Sequence, residues 1–336
     1  MDIILADANR IEQGFFLAAY TIDIENNSSS TQPNFDFEIT LSAEHVNYKG
    51  IDYGTYMFVP GTEYGGRFGH LKAETQESEA AWQGYTWRGM LDKKIIQPAA
   101  GQDYYTVSGD ANTILKTLIG DMAPLFSVPE KDSGIMINNF QFDRYTTVRK
   151  GMEKMLRQYG GKLHIHAEEG EENEPFTVVV ECVELKNYST EIEYSQDSDF
   201  SFEIESKCNG VNHLICLGSG ELKDRQVVHL YADAQGNISK TQSFFGVDEI
   251  SEIYDFSSAE SLEDLENYGM ERFREVMNRK TFSVNITDGT EYDIGDIIAG
   301  QDFTTGMTIT APITGKIFRM DETGAESVEY MLEVDE

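Results

Sequence analysis

The sequence predicts an α+β fold that is mainly β, with two β-barrel-like domains flanking a small α+β domain. Three observations predict it. Short segments of alternating apolar and polar residues fill both ends of the chain, helical spacing is confined to the middle and one later segment, and a similar pair of strand patterns occurs near each end. We place a first β-barrel domain at residues 1–101, the α+β domain at 102–190 and a second β-barrel domain at 191–336, with an additional helix-containing insertion at about 222–280.

The first region is predicted to consist of short strands. Phe35–Leu41 alternates apolar and polar side chains, which is typical of a half-buried strand. Phe15–Ile24 and Tyr53–Pro60 indicate further strands, and the glycines of Gly61–Gly69 indicate a flexible loop. Gly84–Pro98 contains Trp87 and several aliphatic residues, so we expect a buried strand and an exit turn that closes the domain.

The middle region is expected to form two helices followed by a hairpin. The candidate N-caps are Ser108 or Asp110 for the first helix and Thr146 or Thr147 for the second. The hairpin is predicted from Lys162–His166 and Phe176–Val183, which are separated by the acidic turn Glu168–Glu174.

The last region returns to strand patterns around one long helix. The predicted strands are Phe200–Ile204, Val211–Gly218, Phe282–Ile286, Thr308–Ile313 and Tyr330–Val334. Ser257 or Ser258 is the candidate start of the helix, whose apolar stripe includes Phe273. The similar pairs are Phe37–Leu41 followed by Tyr53–Met57, and Phe282–Ile286 followed by Ile294–Ile298, a pattern that fits two related barrels.

Composition narrows the classes of function. The chain has 59 acidic and 26 basic residues and a net charge of −33, which opposes binding to nucleic-acid phosphates. No apolar run approaches the roughly 18 residues of a membrane span, and Met1–Asp7 lacks the basic segment of a signal peptide. Cys182, Cys208 and Cys216 are expected to be reduced, mostly buried thiols of a protein made in a cytoplasm.

One pair of histidines is a candidate for metal binding. His164 and His166 lie two apart on a predicted strand, so their side chains face the same side, and Glu181 or Cys182 lies across the hairpin. A zinc site needs a third and a fourth ligand at convincing spacing, which the sequence alone does not supply. We therefore expect two partly exposed strand histidines and no bound metal.

Catalytic and cofactor motifs are not evident elsewhere. Gly218–Ser219–Gly220 differs from the G-x-S-x-G nucleophile elbow, and Glu168–Glu174 lacks the spacing of a calcium loop. His213 and Cys216 are three apart and would face opposite sides of a strand. We assign no catalytic, cofactor-binding or metal-binding residue, and we expect the protein not to be an enzyme.

Several segments resemble one family of structural proteins. They are Arg88–Leu91 running into Lys93–Pro98, Ser206–Leu214 followed by Gly218–Glu221, and Tyr292–Ile298 with Thr310–Ile317. In this order they resemble the baseplate hub, or tail-associated, proteins of long-tailed phages and related prophages.

The resemblance implies a homotrimer in which two barrels per subunit form a ring with near six-fold symmetry. Such a ring joins the tail tube to the tail tip and surrounds the axial DNA channel. The implied partners are a distal tail or tail tube protein, the tape measure protein, and tail-tip or receptor-binding components. The implied location is the virion tail, after synthesis in the cytoplasm of the bacterial host. No stable nucleic-acid binding is expected.

Two other functions stay open at this point. A cell-wall hydrolase at the tail tip would need a poised acid, nucleophile or metal. A carbohydrate-binding β module would use Trp82, Trp87 and Tyr85 as a stacking platform, although such aromatics are more often core residues. For a trimer, clustered bases such as Arg67, Arg88, Lys93 and Lys94 are expected to face acidic residues of the next subunit.

Overall fold

The computed structural model describes residues 2–16, 20–27, 36–42, 50–74, 79–189, 200–207, 210–234, 236–259, 261–277, 279–286, 292–301, 308–321 and 323–333. The helices in these residues are α1 (Trp87–Leu91), α2 (Ala111–Ile119), α3 (Val148–Gln158) and α4 (Leu262–Val276). The strands of the first half are β1 (Ile4–Ala6), β2 (Glu12–Phe15), β3 (Tyr20–Asn27), β4 (Phe37–Ser42), β5 (Tyr56–Phe58), β6 (Gly65–Glu74), β7 (Glu79–Thr86), β8 (Thr106–Asp110), β9 (Phe126–Ser127), β10 (Met136–Gln141), β11 (Gly161–Glu168) and β12 (Thr177–Glu184). The later strands are β13 (Phe200–Lys207), β14 (His213–Leu217), β15 (Val227–Ala232), β16 (Ile238–Ser239), β17 (Ser251–Asp255), β18 (Arg279–Ile286), β19 (Ile297–Gln301), β20 (Thr308–Met320) and β21 (Glu326–Glu333).

The chain divides into two compact units. The first comprises Met1–Phe202 and Ser283–Leu332, and the second comprises Glu203–Phe282 with Glu333–Glu336. The predicted fold class, α+β and mainly β, is confirmed, and the large sheet curls into a half-barrel. The division into two barrels with boundaries at 101 and 190 stays a prediction. No helix within the described residues is both long and apolar enough to cross a bilayer.

One large sheet joins strands from both ends of the sequence. Its order is β13-β18-β21-β20-β3-β4-β7-β6-β5-β1-β2, with β19 pairing with β20. Strand β3 pairs with β4 on one side and with β20 on the other, where Ile24 lies opposite Phe318. Its inner face is packed with aliphatic and aromatic side chains, among them Ile24, Phe37, Ile39, Trp82 and Phe318. Ends of the chain that are distant in sequence therefore share one core.

Glycines of β6 and β7 have no Cβ and so leave space for the Phe37 ring in that core. An ideal Cβ at Gly84 would lie 2.0 Å from the carbonyl oxygen of Arg67 and 2.6 Å from the Phe37 ring, and one at Gly66 would also lie 2.6 Å from that ring. The aromatic ring therefore packs directly on the backbone of two neighbouring strands. The loop predicted at Gly61–Gly69 is wrong from Gly65 onward, where β6 begins, and Gly65 and Gly66 of that strand pack against Trp87 and Phe37.

A short helix follows β7 where a longer strand was predicted. The Thr86 hydroxyl accepts a hydrogen bond from the Gly89 amide and so caps α1, while the Asp36 carboxylate accepts one from the Thr86 amide. These bonds turn the chain, so the predicted strand ends at Thr86. Trp87, the first residue of α1, is 1% exposed and its ring centroid lies 6.0 Å from that of Phe176.

The helices and the hairpin of the middle region are where the sequence placed them. Asp110 caps α2 by accepting from the Asn112 amide, and Thr147 caps α3 by accepting from the Lys150 amide. Strands β11 and β12 pair antiparallel with Leu163 opposite Cys182, and β9 adds to β12 in parallel. The inward side chains of the helices and strands form one core with residues that precede them in the chain, including Phe58 and Trp87.

The second unit is a four-stranded sheet covered by one helix. The sheet order is β16-β15-β14-β17, and α4 packs Leu265 and Phe273 against Leu214, Cys216 and Leu230. Helix α4 begins later than the predicted Ser257 or Ser258, because Ser261 caps it by accepting from the Asp264 amide. Cys182 and Cys216 are buried free thiols, as predicted, and Cys208 lies outside the described residues.

The packing of Phe37 on glycine predicts an unequal pair of substitutions. Gly84→Ala should lower the free energy of unfolding by about 3 kcal/mol, because its Cβ would meet a backbone oxygen that cannot rotate away. Gly69→Ala is the matched control in the same sheet, since its Cβ would meet no atom within 4 Å. Urea unfolding of the two variants measures the difference, and equal effects would contradict this account of the glycines.

Candidate functional site

The hairpin β11–β12 carries polar side chains on the face away from the core. Leu163, Ile165 and Ala167 are buried, and His164 and His166 alternate with them. Glu181 lies directly across from His164 in the strand pairing, and the two imidazole ring centroids are 5.3 Å apart. One potential ligand atom from each of His164, His166 and Glu181 lies within 4.8 Å of the others.

A turn from the C-terminal part of the first unit closes on this polar face. Lys162 Nζ donates to Asp293 Oδ2 at 2.9 Å and to Asp296 Oδ1 at 2.7 Å, and His164 Nδ1 lies 3.1 Å from Asp293 Oδ2. Sequence reasoning missed Asp293 and Asp296, because about 130 residues separate them from the hairpin. Both lie in Tyr292–Ile298, a segment noted above for its resemblance to hub proteins and not for contact with the hairpin.

The contacts of Asp293 shift the acid–base equilibria of this cluster. The hydrogen bond with Asp293 raises the pKa of His164 above its usual value, against the opposing effect of burial. Burial by itself would raise the pKa of Asp293, but hydrogen bonds with His164 and Lys162 outweigh burial and hold that pKa well below its usual value. The cluster therefore favours a protonated imidazole beside an ionised carboxylate.

A second set of charges is buried inside the first unit. The guanidinium of Arg88 is 2% exposed, and its Nε donates to Glu63 Oε2 at 2.8 Å. Arg88 also donates to the carbonyl oxygen of Leu163 at 3.2 Å and lies 3.4 Å from Glu153 Oε1. Lys316 Nζ lies 3.9 Å from the other oxygen of Glu63. These contacts join β20, α1, α3 and β11 around the ion pair of Arg88 and Glu63.

The aromatic platform of the carbohydrate-binding alternative does not form. Trp82 is 5% exposed and Trp87 is 1% exposed, so both belong to the core. Tyr85 is half-buried, and Lys93 Nζ lies 4.2 Å from its ring centroid. Arg88 likewise cannot face another subunit as the sequence suggested, because Glu63 and Glu153 hold it inside the chain.

A cluster in the second unit resembles a catalytic triad in composition but not in geometry. Glu249 Oε1 and Ser251 Oγ both approach Nδ1 of His213, at 2.6 and 3.2 Å, while Nε2 of His213 lies 2.8 Å from His229 Nδ1. A triad needs the hydroxyl and the carboxylate on opposite nitrogens of the imidazole. Burial also raises the pKa of the Cys216 thiol to about 11, which disfavours the nucleophilic thiolate.

Comparisons with known proteins give the fold its context. No protein-family model matches the sequence, and no curated protein matches it. Three of the similar solved structures are a 43 kDa tail protein of prophage MuSo2 from Shewanella oneidensis, a tail protein from Neisseria meningitidis and the activated baseplate of phage P2. The Shewanella protein is 12% identical with a TM-score of 0.52, and the match covers 99% of this chain and 98% of that one.

This chain has the fold of a prophage tail protein. The other two matches have lower scores: the Neisseria protein is 13% identical with a TM-score of 0.48 and coverages of 99% and 96%, and the phage P2 component is 8% identical with 0.49 and coverages of 100% and 99%. The resemblance to tail proteins noted in the sequence is thus confirmed at the level of the fold.

Breaking the buried pair of Arg88 and Glu63 should be costly. Arg88→Met leaves the carboxylate of Glu63 buried with one weaker partner, so we expect a loss of about 3–5 kcal/mol in the free energy of unfolding. Lys154→Met is the control, because Lys154 and Asp143 are half-exposed and the change should stay within about 1 kcal/mol. The double variant Arg88→Met with Glu63→Met should lose less than the sum of the single changes, and strict additivity in denaturant unfolding would contradict the coupling.

The pairing of His164 with Asp293 predicts a pH-dependent effect. Because the folded-state pKa of His164 is raised, the stabilisation from this pair is complete below pH 6.5 and is lost as pH rises through the folded-state pKa. Asp293→Asn should therefore destabilise the protein more at pH 6 than at pH 9, and it should lower the pKa of His164 measured by NMR. Asp143→Asn should leave the titration of His164 unchanged. A His164 pKa that is insensitive to Asp293→Asn would show that the contact does not form in solution.

Proposed function

We propose that the protein is a structural component of a phage or prophage tail that acts by assembly and not by catalysis. The observation that carries this proposal is the full-length match to the Shewanella prophage tail protein, which aligns nearly all of both chains. The match spans nearly the whole length of both chains, so the likeness is not confined to one region of the fold. The segments Arg88–Pro98 and Tyr292–Ile298, which resemble hub proteins, support the same assignment.

The specific role we propose is that of a baseplate hub. Three copies form a ring that joins the tail tube to the tail tip and surrounds the axial DNA channel. The expected neighbours are a distal tail or tail tube protein, the tape measure protein and the tail-tip or receptor-binding components. Two strand-rich regions per chain give six similar units in a trimer, and this number suits contact with a hexameric tube.

The edge of the large sheet supplies a surface for assembly. Strand β2 ends the order of paired strands among the described residues, and its residues Gln13, Gly14 and Phe15 are exposed. The Phe15 side chain is 56% exposed, which is unusual for an aromatic residue next to an unpaired strand edge. An open edge of this kind invites pairing with another chain, and a closed ring satisfies it.

The charge of the chain supports a role beside DNA without binding to it. The net charge of −33 becomes about three times as large in a trimer. An acidic channel repels the DNA phosphates, so the genome slides past and does not adhere. The same charge opposes assembly at very low salt, where repulsion between subunits is poorly screened.

Light scattering of the purified chain tests the oligomer. At micromolar concentration and moderate salt we expect a mass near three times the 37.9 kDa of one chain. Adding salt from a very low concentration should first strengthen assembly, because screening reduces the repulsion between acidic subunits. A monomer at every salt concentration, which a tail tube protein also fails to convert into a ring, would contradict the hub assignment.

Substitutions at Phe15 test the proposed edge. Phe15→Asp should leave the thermal unfolding of the monomer nearly unchanged, because the side chain is exposed, but it should weaken trimer formation. Phe15→Leu is the matched control, since it keeps an apolar contact and should preserve the trimer. A trimer that tolerates Phe15→Asp would place the interface elsewhere.

A further inference from the structure

We propose that His164, His166 and Glu181 form a binding site for one transition-metal ion of the zinc type. The three side chains share the polar face of one hairpin, and their potential ligand atoms lie within 4.8 Å of one another. The site lies on two adjacent, fully paired strands, so its backbone positions are fixed. All three side chains are partly exposed.

The hydrogen bonds of the two imidazoles prepare them for metal binding. His164 directs Nδ1 to Asp293, and His166 directs Nε2 to Glu168 at 3.3 Å. In its neutral form each ring has its other nitrogen available for a metal, so an ion that binds His164 displaces a proton from it, and Nδ1 of His166 is buried without a hydrogen-bond partner. A carboxylate on the far nitrogen of a histidine ligand is the usual second contact in metal sites, where it fixes the tautomer and strengthens the donor.

The surrounding charge favours a cation. Glu168, Glu181, Asp293 and Asp296 contribute four negative charges and Lys162 contributes one positive charge, so the net charge is −3 when both imidazoles are neutral. Lys162 does not occupy the site, because two carboxylates hold its ammonium group. Two imidazoles and one carboxylate match the preferences of zinc and its neighbours, whereas calcium and magnesium prefer oxygen ligands only.

The spacing requires a modest closure on binding. Zinc bonds of roughly 2.0–2.1 Å place tetrahedral ligand atoms roughly 3.3 Å apart. The potential ligand atoms lie within 4.8 Å of one another, so they must approach by up to about 1.5 Å. Rotation about side-chain bonds of half-exposed residues provides this movement without displacing the strands. Three protein ligands leave a fourth position for water.

Binding would connect parts of the fold that are distant in sequence. The ion would cross-link β11 and β12, and Asp293 would extend the link to the turn that precedes β19. This turn already packs closely on the hairpin, because an ideal Cβ at Gly295 would lie 2.7 Å from Lys162 Cβ. A bound metal would thus stiffen the contact between the middle region and the C-terminal strands of the first unit.

Calorimetry with Zn²⁺ on the full chain, produced without a histidine tag, tests the proposal. We expect one ion per chain with micromolar or tighter affinity, and no competition from excess Ca²⁺ or Mg²⁺. Co²⁺ should give the visible absorption of a four- or five-coordinate centre. Unfolding should shift to higher temperature as Zn²⁺ is added, because the ion binds the folded state. Absence of Zn²⁺ binding would overturn the proposal.

Variants distinguish this site from adventitious binding. His164→Ala, His166→Ala and Glu181→Gln should each weaken Zn²⁺ binding, by more than the roughly 10–100-fold that Asp293→Asn should cost, because Asp293 contacts the ring of His164 and not the ion. His70→Ala and Glu184→Gln are exposed controls and should bind like the parent chain. Thermal unfolding without metal verifies that each variant is folded. Unchanged affinity in the folded ligand variants, or loss of binding in His70→Ala, would refute this assignment.

Discussion

The buried ion pair between Arg88 and Glu63 is the contact on which much of the first unit depends. The guanidinium of Arg88 reaches a carboxylate from the loop before β6, the Leu163 carbonyl of the central hairpin and Glu153 of α3. Lys316 of β20 approaches the same carboxylate from the C-terminal strands. A charge removed from water is tolerated only when its partners are in place, so this cluster permits few alternative arrangements of the elements around it. It thereby sets how the middle region is held against the large sheet.

Basic residues are scarce in this chain, and several of them are buried. Only 26 basic residues accompany 59 acidic ones, and Arg88, Arg149, Lys162 and Lys316 are all buried against carboxylates or aromatic rings. Three acidic residues, Glu63, Asp110 and Asp296, are buried among the described residues as well, so the surface keeps nearly the whole acidic excess of the composition. An acidic exterior keeps separate copies apart in dilute salt, so association relies on apolar or hydrogen-bonding contacts such as those of an exposed strand edge.

Features with local signals could be predicted from the sequence. Asp110 and Thr147 cap their helices through bonds to amides two or three residues away, and the alternation in β11 and β12 gave the hairpin its correct faces. Features that depend on distant residues could not be predicted. The turn into α1 uses Asp36, 50 residues before Thr86. The glycines of β6 were assigned to a loop because Gly65 and Gly66 pack against Trp87 and Phe37, which lie about 20 to 30 residues away in sequence. Only part of the histidine cluster could be predicted, for the same reason. His164, His166 and Glu181 are neighbours in the hairpin pattern, whereas Asp293 comes from the C-terminal segment of the first unit.

The pairing of β3 with β20 has a consequence for how the protein is made. Arg319 donates to Asp23 across this pair, over a separation of 296 residues. Strand β3 leaves the ribosome early, whereas residues 308–320 follow more than 280 residues later, which corresponds to roughly 15–60 s of synthesis. During that interval the edge of β3 that β20 later covers has no native partner. A nascent chain therefore exposes an unpaired strand edge that β20 covers in the finished protein. The yield of the protein in a host cell depends on keeping that edge from pairing with other nascent chains.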